Sequence, residues 1–273
     1  MSFDAPQYPP PTAPPPEPPS GPFSRVKRAL GPVGLTLLIG LKWIAKLKFL
    51  ALIFKLKFLG TFISMAISVG VYTLAFGWPF AVLFVLLLFV HELGHALWIK
   101  REGIATGPIV FIPLVGAMIT LKESPRNAYV EAKIGLAGPV LGSLGAAAVA
   151  LAGWQLDSDL LTAAAYTGFL LNLFNLIPIT PLDGGRAAAA IHPSLWIAGL
   201  IVLGAVTVIW FNPLLLLILI LAVFDLFRRT RGVGVGDRAY YGIALRRRLL
   251  VAAVYVGLAG LLALGMSATN VRV

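Results

Sequence analysis

IATGPIVFIPLVGAMITL, residues 104 to 121, is the stretch on which the architecture turns. It is uncharged and close to the ~20 apolar residues that cross a bilayer as a helix. Gly107, Pro108, Pro113 and Gly116 interrupt it, and its apolar residues include Ile109, Val110, Ile112 and Val115. Proline removes a helical donor and β-branched side chains favour strands, so 104–121 reads as a re-entrant hairpin of extended strands. The placement of the bases supports this choice. As a spanning helix, 104–121 would put every base from Lys122 to Arg248 on the opposite face from those before it. As a hairpin it leaves all Lys and Arg on one face except Arg272, the pattern expected of cytoplasmic loops.

Working outward, the uncharged runs 58–78, 80–90, 134–156, 160–182, 195–211, 213–224 and 249–266 account for most of the remaining chain. Of its 273 residues 59% are hydrophobic and 12% charged, roughly half the ~25% charge of an ordinary soluble domain. That composition excludes a cytosolic globular protein. The fold class expected is an all-α polytopic membrane protein of about six to seven transmembrane helices, with a small re-entrant β-hairpin and an interfacial N-terminal helix. Helices are expected near 58–78, 80–99, 134–156, 160–178, 195–211, 213–227 and 249–266, with the N-terminus inside and the C-terminus outside.

Residues 1–22 hold ten of the 20 prolines and offer no signal peptide; they read as a disordered, extended cytoplasmic tail. Residues 23–57 mix aliphatics with Lys42, Lys46, Lys48, Lys55 and Lys57 and read as a basic interfacial segment whose partners are anionic lipids. The net charge of +11 would favour nucleic acid in a soluble chain. Here the one-sided distribution of bases accounts for it, and no nucleic-acid partner is expected.

The chemistry is confined by scarcity. Cysteine is absent and the only histidines are His91, His95 and His192. LLFVHELGHALWIK, residues 87–100, places His91 and His95 four residues apart on one face of an apolar helix, with Glu92 beside the first. That spacing suits two zinc ligands and a carboxylate able to take a proton from an activated water. The blander reading, core imidazoles bonded to carbonyls and Glu92 paired with a base, meets the difficulty that no base lies within 80–99. Unpaired charge is costly in a membrane helix.

A catalytic zinc needs a third protein ligand. His192 lies beside Pro193 between helices, where a loop histidine is the commoner explanation, and Asp225 precedes the basic run Arg228 to Arg231 as an ion-pair partner. Asp183 lies in NLIPITPLDGG, residues 175–185, where Pro178 and Pro181 break the helix and leave backbone groups that need protein or a wet cavity around them. This segment reads as an unwound strand that aims Asp183 inward. His91 is about 14 Å of helix from Lys100 at ~1.5 Å per residue, so both halves of the site approach the same side of the bilayer.

HELGH, NLIPITPLDGG, the intervening GLAGPVLG at 135–142 and the broken hairpin around FIPLVGAM at 111–118 together resemble the site-2 protease family of intramembrane zinc metalloproteases. The resemblance covers about 58–190. It implies one zinc ion per chain held by His91, His95 and Asp183, Glu92 as general base, and Asn175 at the substrate peptide. It further implies a zinc metalloendopeptidase cleaving a single-span membrane protein, a catalytic transmembrane core at 58–190 and a bacterial inner membrane; the uncharged runs add C-terminal transmembrane helices at 191–273, and the placement of bases an active site opening toward the cytoplasm. Neither a PDZ insertion nor a C-terminal nucleotide-sensing module, found in some members, is expected from these residues. The alternative from a different class is a metal-ion or proton transporter using the same intramembrane ligands.

Overall fold

The computed structural model describes residues 59–192, 194–230 and 238–270. The expected tail at 1–22 and basic segment at 23–57 lie outside the described residues. The first helix, α1 (Leu59–Phe76), carries no charged residue. It stops at Gly77, whose φ of 78° reverses the chain, and α2 (Trp78–Arg101) starts at once with Pro79 in its first turn, where a missing N–H costs nothing. Next come β1 (Thr106–Ile112) and β2 (Gly116–Leu121), an antiparallel pair, followed by α3 (Ala128–Gln155) and α4 (Asp159–Asn175). The chain ends in α5 (Asp183–Ile191), α6 (Leu195–Ile209), α7 (Pro213–Thr230), α8 (Arg238–Tyr241) and α9 (Leu245–Ala268).

Side chains cap the two central helices. Asn127 accepts the Val130 N–H at the start of α3, and Ser158 accepts the Leu161 N–H at the start of α4. Among the described residues four helices, α1, α2, α3 and α9, are long and apolar enough to cross a membrane by length and composition. Of the other expected spans, α4 has 17 residues, α6 has 15 and α7 has 18. Large side chains such as Leu74, Ile201, Val208 and Leu264 stand on the outer surface. Such a surface suits hydrocarbon, and the chain is a multi-pass integral membrane protein.

The segment 104–121 is a hairpin, as expected, and Lys122 N–H bonds the Ala105 carbonyl at 2.9 Å, so the chain leaves where it entered. Ile109 faces Ile119, Val110 faces Met118 and Phe111 faces Ala117; the ladder is irregular between Thr106 and Ile109, where Pro108 lacks a donor. The outer edge of β1 is covered by α1. Thr61 Oγ1 donates to the Ile109 carbonyl at 2.8 Å, Phe111 N–H donates to Ser64 Oγ at 3.1 Å, and Leu114 N–H donates to Tyr72 Oη at 3.0 Å.

α3 is the centre of the bundle, packed against α2, α4, α5 and α9. Its buried face is built from small residues, Ala132, Ala146 and Ala150 among them, which bring helix backbones close where lipid gives no hydrophobic drive between helices. The helix is broken over 176–182, as expected, in turns and bends; one correction concerns the end of the stretch, where Asp183 to Gly185 are not unwound but open α5. Both glycines that follow are buried against the turn backbone, so this tight packing carries a helix through a Gly-Gly pair that propensity alone disfavours.

Candidate metal centre

α2, α4 and α5 deliver the polar groups to one point, and α3 lets them meet. His91 and His95 are buried on α2 with ring centroids 4.9 Å apart. His91 Nε2 lies 3.0 Å from Asp183 Oδ2, His95 Nε2 lies 3.1 Å from the same oxygen, and the two Nε2 atoms are 3.2 Å apart. Sequence neighbours 88 and 92 positions away are thereby joined.

The far nitrogens fix the tautomers. His95 Nδ1 lies 2.7 Å from the Ile134 carbonyl, an acceptor only, so the Nδ1–H donates there. His91 Nδ1 lies 2.8 Å from Asn172 Oδ1, and Asn172 Nδ2–H donates to the Gly168 carbonyl at 2.7 Å, which keeps the amide oxygen turned to the imidazole. When neutral, both rings therefore present bare lone pairs at Nε2, facing each other and a carboxylate oxygen. Three acceptors in mutual contact repel unless a proton or a metal cation sits among them.

Zinc fits that donor set. Tetrahedral ligands at ~2.0–2.1 Å from zinc stand roughly 3.3–3.4 Å from one another, close to the spacing seen here. Glu92 is also buried and within 4.8 Å of the histidine nitrogens, but the carboxylate in contact with both of them is that of Asp183. Glu92 instead lines two cavities. One, about 290 Å³, also has His91, Asp183 and Asn175 in its wall; the other, about 350 Å³, has His95, Asp183, Asn175 and Arg186. The structure thus brings together all five residues singled out from the sequence. His192 stands apart, exposed and hydrogen-bonded through Nδ1 to Ser194 Oγ. Asp225 accepts a hydrogen bond from Thr180 in the turn before Asp183, a contact not expected from its place beside the Arg228 run.

Two features escaped the sequence reading. Asn172 was one polar residue in an apolar segment; its orienting role depends on a neighbour 81 positions away. The glycines of GLAGPVLG had no assigned role. A Cβ on Gly138 would stand 2.2 Å from His95 Nε2, and one on Gly142 would stand 2.2 Å from Asn172 Oδ1. Two successive turns of α3 therefore lack side chains where the His95 ring and the Asn172 amide lie.

Fold and site together define a class: a multi-pass membrane protein with a buried His/His/Asp cluster and an adjacent glutamate. No protein-family model matches the chain. Zinc metalloprotease MJ0392 of Methanocaldococcus jannaschii is 35% identical to it over 119 residues, 41% of this chain and 34% of that protein. Rip3 of Mycobacterium tuberculosis, provisionally named a zinc metalloprotease, is 33% identical over 118 residues, 40% of this chain and 30% of that protein. The similarly named sll0528 of Synechocystis sp. is 31% identical over 124 residues, 42% of this chain and 32% of that protein. The matched region spans about a third of the length of these curated relatives. The chain is thus similar to zinc metalloproteases, in agreement with the resemblance carried by its motifs, and it contains the HExxH group His91, Glu92 and His95.

Proposed function

We propose that the chain is an intramembrane zinc metalloendopeptidase of the site-2 protease family, which hydrolyses a peptide bond in or near the transmembrane segment of a single-span membrane protein. One observation carries this reading: two imidazole lone pairs and a carboxylate oxygen converge beside a buried glutamate, on a helix long and apolar enough to cross a bilayer. His91, His95 and Asp183 hold one zinc ion per chain. When bound, zinc polarises a carbonyl and lowers the pKa of a water to about 7. Glu92 accepts the proton of the attacking water and delivers it to the departing nitrogen, so the C–N bond breaks with a neutral amine as leaving group and Glu92 returns to its carboxylate form. Asn175, in the wall of both cavities, binds the peptide backbone or the developing oxyanion.

A helical substrate must unwind before its carbonyl is accessible. Since α1 occupies the outer edge of β1, strand addition falls to β2, whose Ala117 and Ile119 line the cavity that contains Glu92. Charge placement supports seven spans with a cytoplasmic N-terminus and an active site nearer the cytoplasmic face of a bacterial inner membrane, the basic 23–57 segment resting on anionic lipids.

The test uses purified full-length chain reconstituted with candidate single-span proteins. Wild type is expected to retain about one zinc per chain and to cleave. Glu92→Gln is expected to keep the metal and cleave at least ~100-fold more slowly, the usual contribution of a general base. Undiminished turnover by Glu92→Gln, or a wild-type protein that holds no zinc, rejects the assignment.

A further inference from the structure

Away from the metal centre a groove runs between α3 and α9 from the face where α2 ends. Its wider part, about 570 Å³, has Leu136, Val140 and Val254 in its apolar wall and Trp98, Arg101 and Lys133 at its mouth. A second cavity of about 370 Å³ shares Val140 and Val254 and carries the groove on to Leu144 and Leu261. From Tyr129 at the mouth to Leu144 is roughly 22 Å of helix at ~1.5 Å per residue. That exceeds the ~15 Å depth of one leaflet's hydrocarbon.

The mouth is built of cations held over aromatic rings. Arg101 Cζ stands 5.2 Å from the centre of the Trp98 ring and Lys133 Nζ stands 5.6 Å from it. Lys133 Nζ is also 5.0 Å from the Tyr129 ring, over which Arg247 Cζ lies at 5.3 Å. Glu102 is bound by Lys133 and by Arg126, so the positive excess at the mouth comes from Arg101 and Arg247. All these bases sit where α2 ends and where α3 and α9 begin, and the apolar walls continue from there into the bundle.

We propose that this groove is a binding site for one anionic phospholipid, with its phosphate among Arg101, Lys133 and Arg247 and one acyl chain laid between α3 and α9. Polar end, apolar length and charge all match that ligand. The volume falls within the ~300–1,000 Å³ typical of small-molecule sites, and basic pockets between helices at a membrane face select anionic headgroups.

The experiment is native mass spectrometry of the full chain in detergent, titrated separately with palmitoyl-oleoyl phosphatidylglycerol and its phosphatidylcholine counterpart. Saturable uptake of one phosphatidylglycerol, at least ~10-fold tighter than phosphatidylcholine, is expected. Each cation near a membrane surface contributes a factor of about 5, so Arg101→Gln with Arg247→Gln is expected to weaken uptake roughly 30-fold. Val140→Trp, which fills the groove and leaves the bases in place, is expected to weaken it too, with zinc content and melting temperature checking the fold of each variant. Equal affinity for the two lipids overturns the proposal, as does retained binding in both variants. So does full competition by soluble glycerol phosphate, which would reveal a simple anion site. Failure of the full chain to take up either lipid overturns it as well.

Discussion

A neutral imidazole has one N–H, and what it is spent on decides whether the other nitrogen can hold a metal. His95 spends its N–H on a backbone carbonyl, which no substitution of a side chain removes, whereas His91 depends on Asn172. As the zinc ligands proposed above, the two histidines should therefore differ in vulnerability. Asn172→Ala is expected to lower zinc affinity about 10- to 100-fold, the usual effect of removing a residue that orients a ligand. Competition with a chelator measures it directly, and an unchanged affinity would show that packing alone holds the His91 ring. At this scale legibility followed distance along the chain. His91 and His95 were readable because a four-residue step stacks them on one helical face, and Asp183 because prolines and glycines in a membrane segment require a reason. Asn172 was visible as a polar residue, but no local rule connects it with a histidine on another helix.

For the hairpin, the hydrogen-bonding pattern identifies which backbone groups are available to a partner. Ile109 and Phe111 turn their outward groups to Thr61 and Ser64 of α1. Their register partners, Ile119 and Ala117, accordingly point away from β1, while Val110 and Met118 point toward each other. A proline at 119 removes an outward N–H and keeps the ladder; a proline at 118 breaks the ladder itself. Ile119→Pro is expected to fold, bind zinc and lose most cleavage of a membrane substrate. Met118→Pro is expected to lower the melting temperature in addition. Full activity in Ile119→Pro would remove β2 as the strand that receives the substrate. The hairpin was legible because Gly107, Pro108, Pro113 and Gly116 are local signals. α5 was not, since a helix that opens Asp-Gly-Gly exists only through packing of both glycines against the preceding turn.

Across the whole molecule, the faces of the bundle are tied together by charge as well as by apolar packing. Glu102, just past α2, binds Lys133 of α3 and Arg126 of the connecting loop. The hydrogen bond from Lys133 holds its carboxyl below the usual glutamate range, and the charges of Lys133 and Arg126 reinforce it. With the folded value below the unfolded one, the stabilisation is complete above about pH 4.3 and is lost as pH falls through the folded value. The contribution of this pair to the melting temperature in detergent is expected to be level from about pH 7 to 5 and to fall below about pH 4. In Glu102→Gln that acid decline should be shallower; an identical decline would exclude this pair as its source. The same junction bears on topology. Lys122 is joined to Ala105 through the hairpin, so the end of α2 and the start of α3 share one face. α3, with 28 residues, is about 42 Å long at ~1.5 Å per residue, more than the ~30 Å of hydrocarbon it must cross. Because the chain has no cysteine, single cysteines report sidedness without background. In intact cells, Lys100→Cys and Lys122→Cys are expected to resist an impermeant maleimide until the membrane is opened, and Asp157→Cys is expected to react at once. Reaction of Lys122→Cys with intact cells while Lys100→Cys stays protected would mean that 104–121 crosses the bilayer, and the one-sided distribution of bases would lose its explanation.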